Sequence, residues 1–199
     1  MRTSLVTVLG LALASALLAC GGKHGAAQPG DRKPDLDTMM GQATSLSADA
    51  ASSFGPLDVG ADWSSYVKMN TSPVQSEPHG GRLVDTWVNA TGAAVYLDDD
   101  AEIPVGTIVV KTSTDVSGAA GPLFVMEKRA AGFDPDHGDW YYAMHWAEPP
   151  PSWQKKLGGP VYWRTPSKKV GYCSDCHDGF DRSLGGVPPA QRRGQAPGS

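Results

Sequence analysis

The sequence predicts a mainly β domain of the α+β class, with an antiparallel sheet and a few helices. Short runs of β-branched and aromatic residues recur between Gly- and Pro-containing turn signals, and the 199 residues include 24 Gly and 16 Pro. All six Trp and all six Tyr lie between Trp63 and Tyr172. The residues that pack a core are therefore concentrated in the middle of the chain.

Four strands and three helices are expected in this middle part. The first strand follows Gly80-Gly81, and the second follows a turn at Pro104-Val105-Gly106. The predicted strands cover 82–89, the β-prone run that completes 103–111 after its turn, 123–128 and 140–146, with a loop over 132–138 before the last one. Helices are restricted to 62–69, 93–99 and 152–157.

The beginning of the chain differs from this middle part in composition. Residues 5–19 are apolar with few interruptions and follow Arg2, as in a signal peptide, and they are too few for a comfortable transmembrane helix. They end in Leu17-Leu18-Ala19-Cys20, which resembles a bacterial lipobox, so we expect residues 1–19 to be removed and Cys20 to carry a lipid anchor. The alternative is an ordinary secretory signal with a chance cysteine. Both export the chain, and the first places it on the periplasmic side of a bacterial membrane, with the outer membrane favoured over the inner.

Composition sets the domain limits. Residues 20–53 are rich in Gly, Ala, Ser, Asp and Gln, which predicts a flexible tether with at most a thin helix over 37–51. Residues 186–199 read as a disordered tail, which leaves 54–185 as the domain. The net charge of −4 and the pI near 5.7, without a cationic stripe, exclude a dedicated nucleic-acid binder.

Cys173-Ser174-Asp175-Cys176-His177 is a C-x-x-C-H sequence, the attachment motif of c-type haem. Two thiols one helical turn apart each add across a porphyrin vinyl group, and the adjoining His177 becomes the proximal iron ligand. A zinc site is the first alternative, but a second ligand pair at suitable spacing is missing from the sequence. A dithiol redox centre is the second, and it usually opens a helix in an α/β context. We therefore expect one covalent haem c.

The sequence identifies the sixth iron ligand less clearly than it identifies His177 as the proximal one. The motif lies near the C-terminus, and Met144 is the last methionine. The remaining candidates, for which packing or surface roles are more common, are Met69, Met126, Met144, His79, His137 and His145. An open distal site is therefore expected.

From about Trp63 to His177 the chain resembles the cytochrome P-460 family, together with its relative cytochrome c′-beta. The resemblance rests on Trp87-Val88-Asn89, on the strand from Gly106 to Lys111, on Gly138-Asp139-Trp140-Tyr141-Tyr142 and on the late C-x-x-C-H motif. It implies an antiparallel β domain that dimerises and carries one five-coordinate haem c. In members proper to the name, a lysine is also bonded to a haem meso carbon, and the enzyme oxidises hydroxylamine.

The resemblance assigns Lys111 to the cross-link, as a catalytic and cofactor-binding residue beside Cys173, Cys176 and His177. The arginine that lies over the haem in hydroxylamine-oxidising members matches about Val84 here, and Arg82 lies two residues away on the same strand face. For a carboxylate that removes protons, the sequence offers Glu127 and Asp139 only as guesses.

The predicted function is therefore an exported, lipid-anchored, mono-haem cytochrome that binds small nitrogen species such as hydroxylamine and nitric oxide, with possible oxidation of them. The alternatives are a gas-binding protein without turnover, as in cytochrome c′-beta, and a simple electron carrier. Candidates for an apolar cap over the iron are Phe124, Phe133, Trp87 and Tyr142. Candidates for a basic surface that neutralises haem propionates or docks an acidic redox partner are Lys155, Lys156, Arg164, Lys168 and Lys169.

Overall fold

The computed structural model describes residues 50–177 and 187–194. The predicted signal peptide, Cys20 and most of the predicted tether and its helix lie outside the described residues.

The described chain forms one antiparallel sheet of seven strands. In chain order the strands are β1 (Val67–Lys68), β2 (Val74–Ser76), β3 (Arg82–Val88), β4 (Ile108–Thr114), β5 (Leu123–Lys128), β6 (Trp140–Trp146) and β7 (Val161–Arg164). Their order across the sheet is β1-β3-β4-β5-β6-β7, and β2 pairs with β3 further along the same edge as β1. The predicted fold class, mainly β with an antiparallel sheet and a few helices, is confirmed.

Three α-helices and six 3₁₀ turns accompany the sheet in the described residues. The helices are α1 (Ala90–Ala93), α2 (Pro151–Leu157) and α3 (Gly171–His177). The 3₁₀ turns are Ala50–Ser52, Trp63–Ser65, Glu77–His79, Pro135–His137, Lys168–Val170 and Pro189–Gln191.

The long predicted strands agree with β3, β5 and β6, and the turn before β4 also lies where it was expected, although β4 begins at Ile108 and continues to Thr114. The prediction omitted β1, β2 and β7. These strands have two to four residues, too few for an alternating pattern to stand out.

Two of the predicted helices are wrong, while the third matches α2 within one residue. Over 62–69 there is only a 3₁₀ turn before β1. Instead of a helix over 93–99, α1 begins at Ala90 and ends at Ala93, and the Asn89 side chain caps its start by accepting from the Gly92 amide. Gly92 packs closely against Thr107, the residue before β4. A Cβ at position 92 would lie 2.2 Å from the Thr107 methyl carbon.

The sheet is covered on both faces. We call the face that carries Thr86, Lys111, Phe124, Tyr142 and Trp163 the front face, and the opposite one the back face; the antiparallel register aligns each set across neighbouring strands. The back face buries its own cluster of apolar residues against the N-terminal segment. That cluster comprises Val110, Val125, Tyr141, Ala143 and Tyr162, packed by Leu57, Val59, Trp63 and Tyr66.

The front face holds the larger core. Val109, Met126, Met144 and Trp146 belong to it, and the chain after β6 packs over them through residues of α2, the 168–170 turn and α3. This arrangement brings α3 against β6. The front face is therefore where the C-x-x-C-H sequence meets the sheet.

Described residues on both sides of the predicted limits, 54 and 185, also contact the domain. Val187 is buried, and backbone bonds join Thr71 N to Gln191 O and Arg193 N to Met69 O, at 2.9 and 2.7 Å. Part of the segment predicted as a disordered tail therefore extends the β1 edge, because its backbone groups find partners there. At the other end, Ser52 Oγ lies 3.1 Å from Ser167 Oγ, so the domain begins slightly before residue 54.

Within the described ranges, no helix has the length and apolar character needed to cross a membrane.

Candidate functional site

A pocket of about 450 Å³, counted out to its open mouth, lies on the front face of the sheet. Its floor is made by β4, β5 and β6, through Val109, Lys111, Phe124, Met126 and Tyr142. One wall is α3, through Tyr172, Cys173, Cys176 and His177. The 3₁₀ turn Glu77–His79 supplies Pro78 and His79. The structure thus brings together in one pocket Lys111 and all three residues of the C-x-x-C-H motif that were predicted to hold a cofactor.

Helix α3 presents the motif to the pocket. Cys173 and Cys176 are three residues apart on this helix, so they share a face, and both are free thiols. The Ser174 hydroxyl, on the buried side, donates to the Gly171 carbonyl at 2.7 Å. The His177 ring stacks on Tyr142 of β6, with centroids 5.9 Å apart and planes inclined by 26°. The front face therefore supports the imidazole directly.

Burial keeps the motif's side chains uncharged near neutral pH. Burial raises the pKa of Cys173 to about 12 and also raises the pKa of Cys176. Burial, with a contribution from the charge of Lys111, lowers the pKa of His177 to about 3. A neutral imidazole keeps a lone pair, which is the form that ligates iron.

Lys111 is an unusual residue for the middle of a sheet. It lies on β4 between Thr86 of β3 and Phe124 of β5, and its side chain is only 7% exposed. Burial lowers the pKa of Lys111 to about 8, while the nearby Cys173 and Cys176 act in the opposite direction. Among the described residues, its ammonium group has neither a hydrogen-bond acceptor nor a carboxylate in ion-pair contact. Lys111 is thus a nearly buried residue that contributes its side chain to the pocket lining.

His79 enters the pocket from the side of β3. Its Nδ1 lies 2.7 Å from the Ser76 hydroxyl, and its ring meets Phe124 edge-on with centroids 4.6 Å apart. Burial holds the pKa of His79 well below its usual value, and the charges of Lys111 and His177 lower it further. The imidazole is therefore neutral.

The other candidates for a sixth ligand lie in different surroundings. Met126 lines the pocket, whereas Met69 and Met144 belong to the core, and the Tyr172 hydroxyl lies 3.7 Å from Met144 Sδ. His137 Nδ1 pairs with the Asp134 carboxylate at 2.9 Å. His145 is on the back face, where its Nε2 lies 3.0 Å from the Gly55 carbonyl oxygen. His79 and Met126 are the members of the set that reach the described pocket.

Neither predicted carboxylate lies at the pocket. Glu127 follows Met126 on β5 and so points to the back face, where its Oε2 accepts from Arg129 Nε at 2.6 Å. Asp139 has φ 59°, and its carboxylate accepts from the amides of Gly132 and Asp134, at 3.0 and 2.9 Å. Asp139 therefore stabilises a loop, and the described lining contains no carboxylate.

Arg82 is buried on the front face at one end of the sheet, away from the pocket lining. Its guanidinium lies 5.4 Å from the Trp146 ring centroid, and its Nη1 is buried without a hydrogen-bond partner among the described atoms. Val84, the position that matches the family's arginine, pairs with Ser113. The described lining therefore holds no arginine.

Two of the four proposed cap residues, Phe124 and Tyr142, line the pocket. Trp87 lies on the back face, edge-on to Trp63, and Phe133 is 41% exposed beside Arg129.

The predicted basic cluster is divided between the two faces of the sheet. Arg164 lies over Tyr162 on the back face, and Lys169 lies over Trp163 on the front face. Lys156 lies over the Trp153 ring.

The sequence did not single out Tyr172 or Ser76, which position pocket residues. Tyr172 precedes the first motif cysteine, so a helix through the motif would have placed it nearby. Ser76 has no comparable signal, because its role depends on the fold of the 77–81 turn.

Comparison of the chain with protein-family models, with curated proteins and with solved structures gave no match. The function is therefore argued from the pocket's own residues.

Proposed function

We propose that this protein is an exported, lipid-anchored, mono-haem c-type cytochrome of the cytochrome P-460 kind, and that it binds small nitrogen species such as hydroxylamine and nitric oxide. The observation that carries the proposal is the convergence of a nearly buried Lys111 with Cys173, Cys176 and His177 in one pocket. The leader in residues 1–19 and Cys20 support export to the periplasmic side and anchoring there.

The residues present fit a covalent haem. Cys173 and Cys176 offer two free thiols on one helix face, and His177 offers a neutral imidazole at the adjoining position. The floor beside them is largely apolar, as a porphyrin requires. When bound, haem iron supplies ligand binding and one-electron redox chemistry.

Lys111 supports the P-460 form of this proposal. Its amine has a lowered pKa, so a substantial fraction is unprotonated near pH 8 and retains its lone pair. The C–N bond to a meso carbon replaces one N–H and one C–H bond and releases two protons and two electrons, which an oxidant of the peroxide class would accept. It also lines the same pocket as Cys173 and Cys176. The enzymatic form, oxidation of hydroxylamine, assigns Lys111 to the cross-link that tunes the cofactor.

A second candidate, gas binding without turnover as in cytochrome c′-beta, is favoured by one observation. The described pocket lining contains no carboxylate to take up protons, and Phe124, Met126 and Val109 make much of it apolar. In either form, the resemblance implies a homodimer and electron exchange with a redox partner protein.

The test is the absorption spectrum of the reduced protein, made in a bacterium with a haem c maturation system. The wild type is expected to show a red-shifted, broadened Soret band. Lys111→Leu should show an ordinary haem c band while Cys173 and Cys176 still hold the cofactor. Lys128→Leu is the matched control, because Lys128 lies outside the pocket and donates to the Gly138 carbonyl.

Identical spectra for the wild type and Lys111→Leu would overturn the cross-link and leave the gas-binding form. A wild-type chain without covalent haem would overturn the whole proposal. Hydroxylamine-dependent electron transfer to a dye, lost in Lys111→Leu, would establish the enzymatic form.

A further inference from the structure

The described pocket lining contains an imidazole side chain for which neither the cofactor attachment nor the cross-link has a use. This side chain is His79. The turn that carries it packs on β3, whereas α3 with His177 packs on β6, and strands β4 and β5 lie between them. His79 and His177 therefore enter the pocket from opposite sides of its floor.

The His79 ring is held in place at one nitrogen. Nδ1 lies 2.7 Å from Ser76 Oγ, and Phe124 supports the ring edge-on. The turn is stabilised by backbone bonds from Gly80 N to Glu77 O and from Gly81 N to Ser76 O, at 2.9 and 3.0 Å. Nε2 has no hydrogen-bond partner among the described residues, which leaves it available to the pocket.

We propose that His79, oriented by Ser76, is the residue that hydrogen-bonds through Nε2 to a small ligand bound in the pocket opposite His177. This inference rests on the proposed function. A neutral imidazole donates through one nitrogen and accepts through the other, and a hydroxyl serves as either partner. Ser76 therefore remains satisfied in both tautomers, and the ring takes the Nε2–H form when the ligand presents an acceptor atom.

His79 supplies the polar contact that the two carboxylates expected from the sequence do not supply. Glu127 is held by Arg129, and Asp139 is used within its own loop. The other polar side chains of the described lining have contacts or uses of their own. In the proposed function the Lys111 nitrogen is consumed by the bond to the cofactor, the Tyr142 ring stacks on His177, and the Tyr172 hydroxyl lies 3.7 Å from Met144 Sδ. This leaves His79 as the group that orients the ligand.

The experiment uses the haem-loaded protein, with carbon monoxide and nitric oxide as probes. The variants are His79→Leu, His79→Gln and Ser76→Ala, and the control is His145→Gln, since His145 lies on the back face. The measurements are the C–O stretching frequency of the carbonyl complex and the rate of nitric oxide dissociation.

His79→Leu is expected to raise the C–O frequency and to quicken nitric oxide release roughly tenfold, as the loss of one hydrogen bond of ordinary strength does. His79→Gln, which keeps a donor, should lie between His79→Leu and the wild type, as should Ser76→Ala. His145→Gln should match the wild type.

Two results would overturn the inference alone. Unchanged frequency and release rate in His79→Leu would mean that the ring does not reach the ligand. A wild-type protein that is six-coordinate and becomes five-coordinate in His79→Leu would make His79 an iron ligand instead. A wild-type protein without covalent haem would overturn the proposed function, and this inference with it.

Discussion

The two faces of this sheet are built from adjacent residues of the same strands, yet they differ in what covers them: the back face packs against an apolar segment, and the front face carries a pocket. On β4, Val110 points to the back face and is fully buried in an apolar cluster. Its neighbour Lys111 points to the front face and is almost as deeply buried without a described partner. One face therefore closes the fold with apolar residues, and the other places a lysine amine at a pocket.

This difference shows how one sheet can carry an apolar cluster on one face and a pocket with polar side chains on the other. The back face buries apolar area against the N-terminal segment, which stabilises the fold at about 25 cal/mol per Å². The front face gives up some of that gain around Lys111, His79 and the thiols of α3. The alternation of side chains along a strand lets both arrangements share one backbone.

The largest effect is expected from removing the two cysteines of α3 that are proposed to attach the haem, beside the front face. In Cys173→Ala/Cys176→Ala, no haem should remain on the chain after denaturation, because both thioether bonds are lost. Haem staining of a denaturing gel measures this. Cys20→Ala is the control and should keep its haem; retention of haem in the double variant would contradict the assignment.

The next effect compares a lysine on each face. Val110→Lys places an unpaired amine in the closed back face and should lower the free energy of unfolding by about 3–5 kcal/mol. Lys111→Met in the haem-free chain should cost nothing or stabilise it, since it removes a buried amine. Urea denaturation followed by Trp fluorescence measures both. Equal losses in the two variants would show that the faces do not differ.

A smaller effect concerns pH in the haem-free chain. The pKa of Lys111 is about 8 when folded and 10.5 in its ordinary state, so between these values the unfolded chain binds more protons. Stability contributed through Lys111 should therefore rise as pH rises from 8 to 10.5, by up to about 3 kcal/mol. Thermal unfolding of the wild type and Lys111→Met across this range isolates the contribution. A parallel pH dependence in the two proteins would contradict it.

The smallest effect is expected outside both faces. Asp139→Asn keeps a side chain that tolerates φ near 59° but weakens the acceptor for two backbone amides. The loss should be about 1 kcal/mol or less, with an unchanged haem spectrum. A large loss of hydroxylamine turnover at unchanged stability would instead restore Asp139 as a proton acceptor.

Part of this arrangement could be predicted from the sequence. Strands β3, β5 and β6 carry enough β-branched and aromatic residues between turn signals to be placed, and the C-x-x-C-H spacing predicts the haem-attachment residues, which stay a prediction. Lys111 was assigned through the resemblance, and the structure places it beside the motif. Strand alternation alone would have placed Glu127 on the face opposite Met126 and therefore away from the pocket.

His79 shows what the sequence could not supply. It lies in a short turn between β2 and β3, and β2 has only three residues. Its position over Phe124 depends on pairing between distant strands and on the packing of the turn. Local patterns carry no information about such contacts, so His79 could not be ranked above His137 or His145 from the sequence.

The most direct measurement is mass spectrometry of a tryptic digest of the mature protein. Trypsin does not cut after a modified lysine, so a cross-link at Lys111 leaves residues 83–128 as one peptide. The account predicts this peptide joined through one haem to residues 170–182, which contain Cys173 and Cys176. Separate peptides 83–111 and 112–128, with 170–182 free of haem, would contradict it.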